Sequence, residues 1–163
     1  MDIIIRTAVP EDVSGMLRMM ERFADFVHLR SYLTVTEGDL AEAAFGRDAF
    51  VRMLAAFEHE CLVGYAIYYP HFSSFRGERG FYLEDIFVDE KHRGRGVGLM
   101  FLKKIAREGA RLGFCRIDFQ VMKDNAGAIG FYRAHGAEAN EDEIHFKFAG
   151  EAFAKFSNGG PDL

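Results

Sequence analysis

The chain contains no apolar run approaching the ~20 residues that a bilayer-spanning helix needs, and Met1-Asp2-Ile3 lacks the basic start of a signal peptide. A cytoplasmic protein without membrane contact is expected. Cysteine is scarce: Cys61 and Cys115 show no CxxC or Cys/His ligand spacing, which argues against a metal centre or a disulfide and for two reduced thiols buried in strands. Basic residues are outnumbered, 20 Lys and Arg against 25 Asp and Glu for a net charge of -5. A general nucleic-acid binder, which needs a basic surface, is therefore not expected. The balance is compatible with a cationic small substrate. Repeats and low-complexity tracts are also absent, and 163 residues suit one domain that buries about two-thirds of its unfolded surface.

What is present centres on Phe81 to Gly98, FYLEDIFVDEKHRGRGVG. Tyr82 to Val88 has the aromatic and β-branched content of a strand, yet carries Glu84 and Asp85 in its middle. Alternation sends adjacent strand residues to opposite faces, so at least one carboxylate must face something other than core. Even so, an edge strand whose acids meet water or pair with Arg76, Arg79 or Arg116 fits the same residues. Arg93-Gly94-Arg95-Gly96-Val97-Gly98 follows, leading into a helix. Unpaired N-H groups and the positive end of the helix dipole, with glycines that let a bulky anion approach, make such a loop a phosphate site. No Gly-Lys-Ser/Thr ending supports a P-loop. Leu99 stands where a dinucleotide fingerprint needs its third glycine, although Asp118 lies at a suitable distance for a ribose contact.

Along the chain, the isoleucine-rich Asp2 to Thr7 reads as a strand buried on both faces. Pro10, Glu11 and Asp12 suit a helix start, and Val13, Met16, Leu17, Met20, Phe23, Ala24 and Val27 form one helical apolar face. Thr36 with Asp39 offers a cap for a short helix stopped by Gly46. Phe50 to Phe57 fits either a helix or a strand. Cys61 to Tyr69 is a strand ending at Pro70, His71 to Gly80 a polar loop, Leu99 to Leu112 a helix and Cys115 to Val121 a strand. The helix after Asn125 contains Gly127 and Gly130, which implies close packing or a ligand against it. Two short strands are expected after Gly136, with Glu143 to Phe148 as the second.

Arg93 to Gly98 resembles the acyl-CoA pyrophosphate loop of the GNAT superfamily of N-acetyltransferases. Ile5 to Val13 looks like that superfamily's first strand and helix start, and Asn125 with Phe131 to Ala137 like its last helix. Tyr82 to Val88 is close to the diamine branch, which includes the spermidine/spermine and thialysine enzymes. The resemblance implies an α/β (α+β) fold with a single mixed, mostly antiparallel sheet flanked by helices. It also implies an N-acetyltransferase domain over 1–150, with 151–163 as a tail that can dock on a partner in a homodimer. It favours the strand reading of Phe50 to Phe57.

The implied reaction is acetyl transfer from acetyl-CoA, without a metal, to the primary amine of a polyamine, a diamine or a lysine-like amino acid. Glu84, with its pKa raised by apolar surroundings, is the candidate base, and Asp85 the substrate anchor. The resemblance assigns Tyr132 as general acid, Asn125 to the cofactor, and Ile86, Phe87 and Val88 to the pantetheine arm, with an oxyanion donor near Ile86 if the strands splay there. Cofactor phosphates fall to Arg93, Gly94, Arg95, Gly96, Val97 and Gly98. Where polyamine enzymes supply acidic contacts, this chain has Val27-His28-Leu29-Arg30, so Arg30 can instead meet a substrate carboxylate. A non-catalytic acyl-CoA-binding module and a protein or peptide acetyltransferase are the alternatives.

Overall fold

The computed structural model of the chain describes residues 3–157. Strand β1 (Ile3–Thr7) leads through a 3-10 turn at Pro10–Asp12 into helix α1 (Val13–Phe26), followed by α2 (Glu37–Phe45). Strands β2 (Arg52–Glu58), β3 (Cys61–Ser73) and β4 (Glu78–Val88), helix α3 (Val97–Arg111) and strand β5 (Arg116–Phe119) come next. Helices α4 (Ala126–Ala134) and α5 (Glu151–Ser157) complete the order. The strands form one sheet in the order β1-β2-β3-β4-β5, antiparallel except for the parallel β4–β5 pair. This is the mixed, mostly antiparallel sheet expected. Contacts group the chain into two compact units, Met1–Gln120 and Val121–Leu163.

Within the first unit the two sheet faces bury separate clusters. Val13, Met16, Met19 and Met20 of α1 and Leu40 of α2 pack on Met53, Ala55, Tyr65, Ile67 and Phe87. On the opposite face Val97, Phe101 and Ile105 of α3 pack on Leu54, Val63, Ala66, Tyr68, Phe81 and Leu83. Period-two alternation in the central strands thus feeds both layers. Thr36 caps α2 as expected: its hydroxyl accepts from Asp39 N while the Asp39 carboxylate accepts from Thr36 N.

Several expectations are corrected. Ile3 and Ile5 pack on the α3 cluster, but Ile4 is 64% exposed, because β1 is the edge strand and only one of its faces is covered. Strand β3 does not stop at Pro70. Its pairing with β2 ends at Tyr68, so beyond that point only β4 flanks it and a missing N-H is tolerated. The supposed loop of 71–80 is therefore mostly ladder, with Ser73 opposite Glu78. Cys61 and Cys115 are free, as expected, but exposed, since each sits at or just before the start of its strand. In the second unit, 143–148 forms no strand, and Ile144, Phe146 and Phe148 are exposed. Alternation supplies a face, but a strand also needs a partner. The tail contains α5, whose Phe156 meets Phe148 at 4.7 Å between ring centroids; the rest of it, 158–163, lies outside the described residues.

Gly80 shows how tightly the sheet closes on β5. A Cβ there would lie 2.6 Å from the backbone O of Arg116 and against its Cγ. Gly80→Ala is expected to destabilise the protein by about 2 kcal/mol through overpacking, read as a lower midpoint in thermal or urea unfolding.

Candidate active site

The site begins with a fault in the β3–β4 ladder. Tyr68 pairs with Leu83 and Ile67 with Asp85, which leaves Glu84 as the extra residue of a β-bulge. The expectation that Glu84 and Asp85 face opposite ways is therefore wrong. Leu83 points to the α3 cluster, while Asp85 aligns with Ile67 on the α1 face. Glu84 turns to that same face, where Tyr69 donates its hydroxyl to Oε2 at 3.2 Å. The β4–β5 ladder ends at Leu83 and Phe119, so β4 continues through Ile86, Phe87 and Val88 without β5 beside it.

The apolar surroundings expected of Glu84 belong to its neighbour. Glu84 is exposed, whereas Asp85 is half-buried and its pKa is pushed up to about 6, first by burial and then by the Glu84 charge. Tyr65, one pair along the ladder on the same face, is fully buried and its hydroxyl has no hydrogen-bond partner. Burial, followed by the Asp85 charge, pushes its phenol well up. Tyr69 is raised to about 12 by burial and then Glu84, and its ring stacks on Tyr82 at 5.4 Å. Carboxylates beside aromatic walls suit an alkylammonium, through charge and through the ring faces.

The glycine-spaced loop follows a 3-10 turn at Glu90–His92. Gly94 and Gly96 have φ of 74° and 79°, a left-handed conformation that costs other residues about 1–2 kcal/mol. A Cβ at either would meet nothing within 4 Å. Gly96 caps α3 without a side-chain hydrogen bond, so the first N-H groups of that helix have no side-chain acceptor from the cap residue. Both arginines expected at the cofactor phosphates are engaged within the protein. Arg93 donates from Nε to Val88 O at 3.1 Å and lies 4.3 Å from the Phe26 ring centroid. Arg95 donates to Glu58 Oε1 at 2.6 Å. The donors that this loop leaves free for an anion are thus chiefly backbone.

The first unit brings together Glu84, Asp85, Ile86, Phe87, Val88 and the Arg93–Gly98 loop. Arg30 is also accounted for: it pairs with Glu21 at 3.0 Å and Asp25 at 3.5 Å, so two carboxylates already hold the guanidinium expected to meet a substrate acid. Asn125 and Tyr132 belong to the second unit. The Asn125 Oδ1 accepts from Ala128 N at 3.1 Å and caps α4. Tyr132 is buried, and burial pushes its phenol up to about 12. Neither helical glycine is packed closely: a Cβ at Gly130 would meet nothing within 4 Å, and one at Gly127 only Asn125 Oδ1 at 3.9 Å.

Sequence reasoning missed Tyr65, Glu58 and His92. Tyr65 reads as an ordinary strand aromatic, and Glu58 is joined to the loop only by the fold. A cavity of about 130 Å³ between the start of β2 and the end of β1 includes none of the expected site residues. Its polar groups Arg52, Tyr68 and Glu108 pair with one another. Among the described residues no helix is long and apolar enough to cross a membrane, and no group of three His, Cys, Asp or Glu could hold a metal ion.

Known proteins resemble this chain in sequence and in fold. Residues 16–137 match the acetyltransferase (GNAT) family. The thialysine N-epsilon-acetyltransferase of Bos taurus is 31% identical over 166 aligned positions, covering 95% of this chain and 97% of that protein. An L-ornithine N5-acetyltransferase of Arabidopsis thaliana is 33% identical over 91 positions, 56% of this chain and 40% of that one. Among solved structures, the integron cassette protein VCH_CASS6 from the mobile metagenome of V. cholerae superposes with a TM-score of 0.81. It has 23% identity and covers 98% of this chain and 99% of its own, a likeness of fold.

Proposed function

The chain belongs to the GNAT family of acetyltransferases, and from that premise we propose that it acetylates the primary amine of a small alkylammonium substrate by direct attack in a ternary complex. The observation that carries the reading is Asp85, a carboxyl with a pKa raised to about 6 just past the point where the β4–β5 ladder stops. The start of α3, which has no side-chain cap, and the space beside Gly94 and Gly96 fit the phosphates of coenzyme A. When bound, acetyl-CoA supplies an acetyl thioester.

The chain's own groups have separable roles. Backbone N-H groups of the Arg93–Gly98 loop hold the phosphates, and within Ile86 to Val88 the alternate N-H groups that point away from β3 are donors toward the acyl carbonyl and the pantetheine arm. Glu84, exposed at the mouth with Tyr69, attracts the ammonium. Asp85 takes its proton: a pKa of about 6 leaves the group ionised at neutral pH yet more basic than an ordinary aspartate. The expected roles of the two acids are therefore exchanged. Asn125 is assigned to the cofactor, and the absence of any atom within 4 Å of a Cβ at Gly130 rules out close packing as the reason for that glycine. With Arg30 already paired, an amine on a plain alkyl chain fits better than one that needs a free guanidinium.

Tyr132 acts as the acid toward the departing sulfur: its phenol, raised to about 12, stays protonated at working pH and donates a hydrogen bond to the developing thiolate. A thiolate leaves with little help because the thiol is itself fairly acidic, so Tyr132→Phe is expected to lower kcat by about tenfold, less than a full general-acid loss. Steady-state kinetics at saturating acetyl-CoA measure it. We read 1–150 as the catalytic domain and 151–163 as a tail. Exposed Phe146, Phe148, Phe153 and Phe156 support a homodimer in which a second copy covers them. The decisive experiment measures thiol release from acetyl-CoA across polyamines, diamines, ornithine, lysine and thialysine. Release above background with at least one alkyl amine is expected, and background with all of them would sink the proposal.

A further inference from the structure

We propose that Glu58, at the end of β2, is the positioning residue that sets the phosphate-binding loop; this rests on the reading of Arg93–Gly98 as that loop. One carboxylate ties two points of the loop together. Its Oε1 accepts from Arg95 Nη2 at 2.6 Å, and its Oε2 lies 3.1 Å from His92 Nε2, so the pair of contacts brackets Arg93 and Gly94. Glu58 and His92 are largely buried, with side chains 15% and 18% exposed. Arg95 holds the Glu58 carboxyl down at about 2, with His92 assisting, so the carboxylate stays ionised at any working pH. The β2–β3 turn begins at the next residue, His59, whose φ of 56° is left-handed. The tie therefore starts from a defined bend.

An acid beside an anion site needs a reason, and orientation supplies one. A guanidinium has five N-H donors in a fixed fork; the bond to Oε1 uses one and fixes the plane of the rest. A loop with left-handed glycines at 94 and 96 is otherwise free to explore many conformations, and ordering it on binding costs affinity. Glu58 does that ordering beforehand. The Glu58 charge is matched by Arg95, so it does not stand as a bare anion facing the phosphates. It acts through Arg95 and His92 and is given no contact with the reacting atoms.

The test is calorimetric binding of CoA to the parent, Glu58→Gln, Glu58→Asp, Arg95→Gln and the Glu58→Gln/Arg95→Gln double variant, with melting temperatures recorded for each. Glu58→Gln is expected to weaken CoA roughly tenfold, as for loss of one charged hydrogen bond. KM for acetyl-CoA should rise by the same factor while kcat stays within about twofold. Aspartate should recover part of the affinity. The double variant should bind no more weakly than Arg95→Gln alone, because both changes remove one coupled unit. S-acetylpantetheine, which has no pyrophosphate, should show the same KM with parent and Glu58→Gln. If Glu58→Gln binds CoA as tightly as the parent or more tightly, Glu58 competes for Arg95 and the proposal is overturned. Equal weakening of S-acetylpantetheine overturns it as well, by showing a general structural role. A parent that does not bind CoA fails the loop reading itself, an outcome distinct from a parent that binds and a variant that does not respond.

Discussion

Asp85→Asn is expected to lower kcat/KM by about a thousandfold at pH 8, within the range for removal of a general base, while making the protein more stable. The two effects share one cause. Burial, and then the charge of Glu84, lifts the Asp85 pKa from 3.8 to about 6, so holding the group ionised in the fold costs roughly 3 kcal/mol. The sign follows from linkage: the folded state binds the proton more tightly than the unfolded chain. Stability from this group is therefore full below about pH 4 and is lost as pH rises through about 6. Asparagine has no such loss. The variant should thus melt higher than the parent at pH 8 and equal to it near pH 3, by circular dichroism at a series of pH values. The parent's kcat/KM should rise as pH increases through about 6, and the variant should lack that limb. Glu84→Gln should move the limb to lower pH by removing the second cause. A limb at the same pH in Asp85→Asn would transfer the base role to another residue.

Gly96→Val is expected to weaken CoA by about a hundredfold, or about 2.7 kcal/mol. Two effects combine. Valine at a φ of 79° is strained by about 1–2 kcal/mol, since its Cβ crowds the carbonyl in left-handed backbone. Its side chain would also fill the space in front of α3, where a Cβ meets no protein atom within 4 Å. Gly113 supplies the control. It has a φ of 73°, is equally unobstructed, and lies past the other end of α3. Gly113→Val should lower the melting temperature by a similar amount yet bind CoA within about twofold of the parent, because strain alone is common to both. Calorimetry on the two variants separates strain from occlusion. Equal loss of CoA affinity in both would place the phosphates elsewhere.

What the sequence made legible was whatever is encoded by near neighbours. The α1 stripe, the Thr36–Asp39 cap and the glycines of the loop each follow from residues within a few positions. Longer relations were hidden. Glu58 reaches Arg95 across 37 residues, and no local pattern marks either as the other's partner. The Glu84 bulge depends on how β4 registers against β3, and Tyr82 to Val88 has no glycine or proline to announce it. For Ile144, Phe146 and Phe148 the reading failed in the opposite direction: local alternation was real, but the pairing that turns it into a strand was not there.

The bulge also determines what the chain can lose or gain. Strip Glu84 from β4, and Leu83 still faces Tyr68 and Asp85 still faces Ile67, so every residue downstream keeps its face. An insertion or deletion almost anywhere else in a buried strand would invert the alternation and empty both core clusters. At this bulge a residue can come or go while the fold is kept. With the roles proposed above, the acid at the mouth is thus a separable addition to a site whose half-buried acid is fixed by the ladder, and acceptor preference can drift there without the core having to follow.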